Sequence, residues 1–191
     1  MRAKLLLASA LALVAVGCQE ATKSDEAKKG TGEVKQPEGG VATMNVTSTA
    51  FKAGERIPQK YTGEGADVSP PLAWGGAPEG TKQLALICDD PDAPTPKPWV
   101  HWVAYGIPAD CTSLAEGNAG AALEGKNNFG RTSYGGPMPP PGHGVHHYRF
   151  KLYALDAPLA LEAGATKEQL LAAMKGHIIG EGELVGTYER K

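Results

Sequence analysis

The chain has 191 residues, which is enough for one domain with a hydrophobic core once its atypical N-terminal end is set aside. Its 19 Lys and Arg residues against 21 Asp and Glu residues exclude the basic excess that nucleic-acid binders need. Its 25 glycines, 15 prolines and low aromatic content favour a turn-rich chain of short strands over a helical bundle. We therefore expect a mainly β domain with no nucleic-acid partner.

The first segment has a basic start and an uncharged apolar run from Leu5 to Val16. This pattern is typical of a secretory signal peptide, because the run is shorter than the ~20 apolar residues that a membrane-spanning helix needs. It ends in AVGC, which resembles the lipobox of bacterial lipoproteins. We predict a signal peptide at residues 1–17 and a diacylglycerol and palmitate anchor on Cys18, with ordinary signal cleavage as the alternative.

The next segment predicts a flexible tether. It reads QEATKSDEAKKGTGEVKQPEGG from Gln19, and Val34 is its only large apolar residue, so it has nothing with which to build a core. We assign residues 18–42 to the lipidated cysteine and tether, and residues 43–191 to the folded domain. The expected location is extracytoplasmic, on the outer membrane or facing the periplasm, with the membrane contacted through the lipid anchor.

Short apolar or alternating stretches bounded by Gly, Pro and Asp predict the strands of this domain. They are Met44 to Thr49, Gln83 to Cys88, His101 to Ile107, Tyr148 to Leu155 and Glu183 to Tyr188. One helix is predicted from Thr166 to Lys175, because Thr166 and Gln169 have the spacing of a capping box and Gly176 follows the run.

Cys88 and Cys111 remain as a candidate disulfide in an oxidising compartment. If the strands that follow Gln83 and His101 pair antiparallel, Cys88 lies opposite Trp102. Cys111 is then roughly 30 Å farther along, which is beyond the reach of a disulfide. We therefore predict a buried, unpaired Cys88 and a Cys111 in a loop.

Four segments combine rigid turns with polar or titratable side chains. They are DVSPPLAW from Asp67, DDPDAP from Asp89 with WVHW close behind, FGRTSYGGPMPPPG from Phe129, and HGVHHY from His143. Histidines donate from both ring nitrogens when protonated, and glycine N–H groups can approach phosphate oxygens closely. An acidic partner such as Asp90 can orient an imidazole. These residue types point to a phosphate or other small-anion site. We expect His143 to be a solvated turn residue and His147 to point away from His146.

These motifs, in this order, resemble the phosphatidylethanolamine-binding protein family, and NNFGRTSYGG and YALDAPL resemble its bacterial, Raf-kinase-inhibitor-like branch. The resemblance spans Met44 to Tyr188 and implies an antiparallel Greek-key β-sandwich with a few short helices and one surface pocket. Bacterial members imply a homodimer. The family's usual His-Arg-Tyr is here His-His-Tyr. The ligand-binding positions implied are Asp90, Pro94, Trp99, His101, Gly135 or Gly136, His146 and Tyr148.

The function expected from these residues is non-enzymatic binding of small phosphorylated or anionic ligands, such as phospholipid head groups, with no cofactor. Two alternatives remain open. One is an inhibitor or regulator of a partner protein. The other is a metal-assisted hydrolase using Asp90, His101 and His146, although the chain has no HExxH spacing and Ser133 lacks a GxSxG setting.

Overall fold

The structure is a computed structural model, and it describes residues 40–191. The predicted signal peptide, the lipid attachment at Cys18 and nearly all of the tether lie outside the described residues. Within residues 40–191, no helix has both the length and the apolar character required to cross a membrane.

The described part of the chain is built from short and long strands with a single α-helix and a 3-10 turn at Gln59–Tyr61. In chain order the elements are β1 (Ala42–Thr43), β2 (Asn45–Thr47), β3 (Leu72–Gly75), β4 (Gln83–Asp90), β5 (Trp99–Pro108), β6 (Ser113–Leu114), β7 (Leu123–Glu124), β8 (Val145–Leu155), α1 (Lys167–Met174) and β9 (Ile178–Glu189).

Two sheets pack face to face. The larger has the order β1-β9-β8-β4-β5-β7, and the smaller has the order β2-β3-β6. All strand pairs are antiparallel except β1 with β9, which run parallel. The predicted mainly β, antiparallel sandwich is therefore confirmed.

The main core lies between the sheets and follows the alternation of the strands. Leu84, Leu86 and Cys88 of β4 face it, as do Tyr148 and Phe150 of β8. The opposite face of the large sheet is covered by a second cluster that includes the helix residues Leu170 and Met174. Because both of its faces are covered, β4 is buried along its whole length.

Several local predictions hold in detail. Cys88 is the register partner of Trp102, and Cys88 is a free, buried thiol, which confirms the argument against a Cys88–Cys111 disulfide. The helix begins at its predicted cap: the Thr166 hydroxyl accepts from the Gln169 N–H, and the Gln169 side chain accepts from the Thr166 N–H. The predicted strands are present. Four of them are longer than predicted, because hydrogen bonding continues past the apolar stretches, and the first is shorter, since β2 covers only Asn45–Thr47.

One end of the large sheet carries polar side chains. There the last residue of β4, Asp90, pairs with the first residue of β5, Trp99, and His146 lies next to the start of β8. A register shift between Cys88 and Asp89 accompanies the end of the β4–β5 ladder. Asp90 and Asp89 are consecutive, so they point to opposite faces of the sheet.

Candidate functional site

A cavity of about 220 Å³ opens at this end of the large sheet. Three strands contribute to it through Asp90, Trp99, His101, His146 and Tyr148, and the loops after β4 and before β8 close its sides. The volume is below the roughly 300 Å³ at which drug-sized pockets begin. The cavity therefore has room for a small molecule rather than for a whole lipid.

Most of the cavity wall is apolar. The remaining lining residues are Ala93, Pro94, Thr95, Phe129, Met138, Pro139 and Pro140. Trp99 stands edge-on to Phe129, with ring centroids 5.5 Å apart. Neither Lys nor Arg is among the lining residues of this cavity, so any positive charge inside it must come from its histidines.

Asp90 and His146 form a buried pair at the base of the cavity, with side-chain exposures of 4% and 1%. His146 Nδ1 lies 2.7 Å from Asp90 Oδ2. A carboxylate oxygen accepts, so Nδ1 carries the hydrogen and the imidazole is held in one orientation. The other oxygen, Asp90 Oδ1, accepts from the N–H of Asp92 at 2.8 Å. Asp90 thus acts as an orienting residue, as the sequence indicated.

His146 has a second partner that the sequence reading did not foresee. Its Nε2 lies 2.7 Å from Nδ1 of His143, which is exposed in the turn before β8. His143 is exposed in a turn, as expected, but its hydrogen bond to His146 was not predicted. The two histidines are three residues apart, and the turn between them folds one ring back onto the other.

His101 lies on the neighbouring strand and is held by the backbone. Its Nδ1 is 2.6 Å from the carbonyl oxygen of Gly135, so Nδ1 carries a hydrogen and the neutral ring has its lone pair on Nε2. Burial lowers the pKa of His101, although Gly135 and the charge of Asp90 oppose this effect. The neutral form is therefore favoured around neutral pH.

Tyr148 contributes a hydroxyl that has no hydrogen-bond partner among residues 40–191, although the side chain is fully buried. Its ring stands edge-on to His101, with centroids 5.0 Å apart. Burial, with the charge of Asp90 adding to it, raises the pKa of Tyr148, so the phenol keeps its proton and is a neutral donor. An unmet buried donor costs about 1–3 kcal/mol, which makes this hydroxyl the strongest sign of a ligand position.

The glycine loop departs from the prediction. Gly135 N–H donates to the carbonyl oxygen of His101 at 2.9 Å, and Gly136 N–H donates to Asp67 Oδ1 at 2.6 Å. Neither glycine lines the cavity. The expectation that their amides are available to a phosphate is therefore wrong. Glycine is needed at 136 because a Cβ there would lie 2.4 Å from the Tyr61 carbonyl oxygen.

This loop explains the DVSPPLAW motif as well. Asp67 accepts from Gly136 through one oxygen and from the Arg131 guanidinium, at 2.9 Å, through the other. Asp67 itself has a φ of 54°, a left-handed conformation that Asp tolerates better than most residues. The motif therefore holds the glycine loop against the strands and does not enter the cavity.

The remaining polar residues of the motifs lie outside the cavity. His147 points away from His146, as predicted, and pairs with Asp92 at 2.8 Å. Asp92 is thus a partner of His147, and the Asx-type turn at this point is made by Asp90, which accepts from the Asp92 N–H. Within residues 40–191, no three His, Cys, Asp or Glu residues are grouped so that they could hold a metal ion.

Asp89 sits on the opposite face of β4 and is completely buried. It forms ion pairs with Arg149 at 3.2 Å, with Lys151 at 3.7 Å and with Lys167 of the helix. Burial favours the protonated carboxyl, but the three cations, Lys167 foremost, outweigh it and lower the pKa of Asp89. Asp89 thus ties α1 and β8 to β4 and takes no part in the cavity.

Known proteins resemble this chain in both sequence and fold. Residues 47–189 match the family described as phosphatidylethanolamine-binding protein. A UPF0098 protein of Methanothermobacter thermautotrophicus is 51% identical over 153 residues, which are 77% of this chain and 99% of that protein. A phosphatidylethanolamine-binding protein homologue of Chlamydia trachomatis has a crystal structure that superposes with a TM-score of 0.74 at 44% identity, covering 78% of this chain and 99% of that one.

Escherichia coli YbcL, described as a member of the mammalian family, superposes with a TM-score of 0.73 at 35% identity, again over 78% of this chain and 99% of its own. Similarity of this extent in both sequence and fold shows to which protein family the chain belongs. The chain belongs to the phosphatidylethanolamine-binding protein family.

Proposed function

We propose that this protein binds small phosphorylated or otherwise anionic ligands in the cavity at the end of the large sheet and does not convert them. Phospholipid head groups such as phosphoethanolamine are the candidate ligands. The observation that carries the proposal is the buried hydroxyl of Tyr148, a residue that lines the cavity; this hydroxyl lacks a partner within the described residues. A ligand oxygen would satisfy it.

The charge pattern supports a ligand whose binding depends on protonation. The cavity holds one carboxylate, Asp90, and two histidines, with no Lys or Arg. An oxyanion therefore gains little fixed attraction, and it binds best when an imidazole takes up a proton. Asp90 would also tolerate an ammonium group on the same ligand, which is the charge arrangement of phosphoethanolamine.

We also propose that the domain works outside the cytoplasm on a lipid anchor at Cys18. The basic start, the short apolar run and the AVGC sequence support export and acylation. The charged, glycine-bearing segment after Cys18 would then let the cavity stand away from the bilayer.

Titration calorimetry on the full chain tests the binding proposal, with sulfate as a permanently dianionic probe and O-phosphoethanolamine as the head-group probe. We expect saturable binding of both. His147→Ala is the matched control, because His147 neighbours the site in sequence but is exposed and paired with Asp92. Absence of heat with both probes, under conditions where the protein is folded, would contradict the proposal.

A further inference from the structure

His146 lines the cavity, yet both of its ring nitrogens are already bonded. Nδ1 is 2.7 Å from Asp90 Oδ2, and Nε2 is 2.7 Å from His143 Nδ1. An imidazole nitrogen makes one hydrogen bond in the plane of the ring. An oxyanion can therefore reach Nε2 of His146 only after His143 has left it.

The two bonds of His146 differ in how readily they break. Asp90 is a buried carboxylate on a central strand and has His146 and Asp92 as partners, so it cannot withdraw without leaving a charge unpaired. His143 is exposed and lies outside both hydrophobic clusters. Removing its ring from His146 disturbs no core packing.

His143 lies in a tight turn between two glycines. Gly142 and Gly144 on either side of it have φ values of 73° and 92°, which other residues rarely adopt. Apart from the chain neighbours, no atom lies within 4 Å of a Cβ built at either glycine, so the turn has open space on both sides of His143. Its backbone is held by hydrogen bonds from Gly142 to Arg190 and from His143 to Pro140, so only the side chain needs to move. His143 can therefore swing outward while His146 stays in place on β8.

We propose that His143 is a displaceable cap on His146: it occupies the nitrogen that the anionic ligand takes, and binding exchanges one for the other. This inference rests on the proposed function of the cavity. The cap also sets specificity. Because Asp90 fixes the hydrogen of His146 on Nδ1, Nε2 accepts from His143 Nδ1 in a neutral N–H···N bond. An oxyanion replaces His143 only when Nε2 binds a proton from solvent, and the N–H···O bond that results is charge-assisted and roughly twice as strong. A neutral donor would replace one neutral hydrogen bond with another, so it lacks the gain that favours an oxyanion.

His143→Ala removes the cap without touching the cavity lining, so the variant should bind sulfate roughly two- to tenfold more tightly than the wild type. His143→Asn places an amide N–H where the ring N–H stood, and it should tighten binding less than His143→Ala does. His147→Ala is the matched control and should match the wild type. All are measured by titration calorimetry at one pH.

A second measurement follows the bond itself. In isotope-labelled protein, the N–H···N bond between His143 and His146 gives a scalar coupling across the hydrogen bond, which should disappear when sulfate saturates the site. If wild-type protein binds sulfate but the coupling survives, or if His143→Ala binds sulfate equally or more weakly, the cap is disproved and the binding function stands. If neither protein binds sulfate although the coupling is present in the free state, the binding function fails and the cap fails with it.

Discussion

The Tyr148 hydroxyl offers a test in which stability and binding should move in opposite directions. Tyr148→Phe removes one oxygen atom and leaves the ring in place. In the free protein that oxygen is fully buried and has no partner among residues 40–191, so its loss relieves an unmet donor. In the complex the same oxygen would donate to the ligand, so its loss removes a contact.

The magnitudes follow from the two environments. An unmet buried donor costs about 1–3 kcal/mol, so Tyr148→Phe should raise the free energy of unfolding by about 1 kcal/mol. For a domain of this size that corresponds to a rise in Tm of about 2–4 °C. A hydrogen bond to a charged acceptor is worth about 1.5–3 kcal/mol, so sulfate affinity should fall roughly ten- to hundredfold.

Tyr134→Phe is the matched control, because the Tyr134 hydroxyl is buried but donates to the Tyr61 carbonyl oxygen at 2.9 Å. Tyr134 does not line the cavity. This variant should lose about 1 kcal/mol of stability and keep its sulfate affinity. The assays are chemical denaturation and titration calorimetry on all three proteins. A Tyr148→Phe variant that is less stable than the wild type and binds sulfate equally well would refute the reasoning.

Three further predictions concern pH, ion pairing and anchoring. Burial lowers the pKa of His101, so its protonation lies below the ordinary value of about 6.5. The contribution of His101 to sulfate affinity should therefore appear only below about pH 6.5, and His101→Ala should lose that part of the rise. A titration series in which the wild type and His101→Ala show the same pH dependence would contradict this. The pKa of Asp89 is lowered, so its stabilising effect is present above the unfolded value and is lost as pH falls through the folded one. Asp89→Asn leaves three cations without their carboxylate and should lower the free energy of unfolding by about 3–5 kcal/mol near pH 7. Urea denaturation should show a smaller difference from the wild type in acid. A difference that does not change with pH would argue against this. Cys18→Ala should abolish labelling with a radioactive fatty acid, and normal acylation of this variant would disprove the anchor.

The strands and their register were predictable because local alternation and burial decide them. The pairing of Cys88 with Trp102 followed from two apolar stretches and an assumed antiparallel hairpin. The start of α1 followed from Thr166 and Gln169, whose side chains act on their own turn. In both cases the deciding interactions lie within or between neighbouring segments, so the sequence alone contains the information.

The conformations of the loops were harder to predict, because contacts between residues that are far apart in sequence decide where the loop groups point. The amides of Gly135 and Gly136 were expected in the cavity, but the Asp67 carboxylate and the His101 carbonyl group take them. The same holds for His143, which only the three-dimensional turn brings to His146. Phe129 and Met138 were not recognised as cavity walls, since a lone apolar residue in a loop gives no periodic signal.

The buried thiol of Cys88 can report how often the hydrophobic core opens. The side chain is 1% exposed, and burial, with the charges of Asp89 and Asp90 adding to it, raises its pKa well above the ordinary value. A thiol in this state reacts with an alkylating reagent only when the sheets separate. The rate at which Cys88 is modified therefore measures how often β4 becomes exposed, and a ligand that stabilises the closed sandwich slows that rate in proportion to its occupancy.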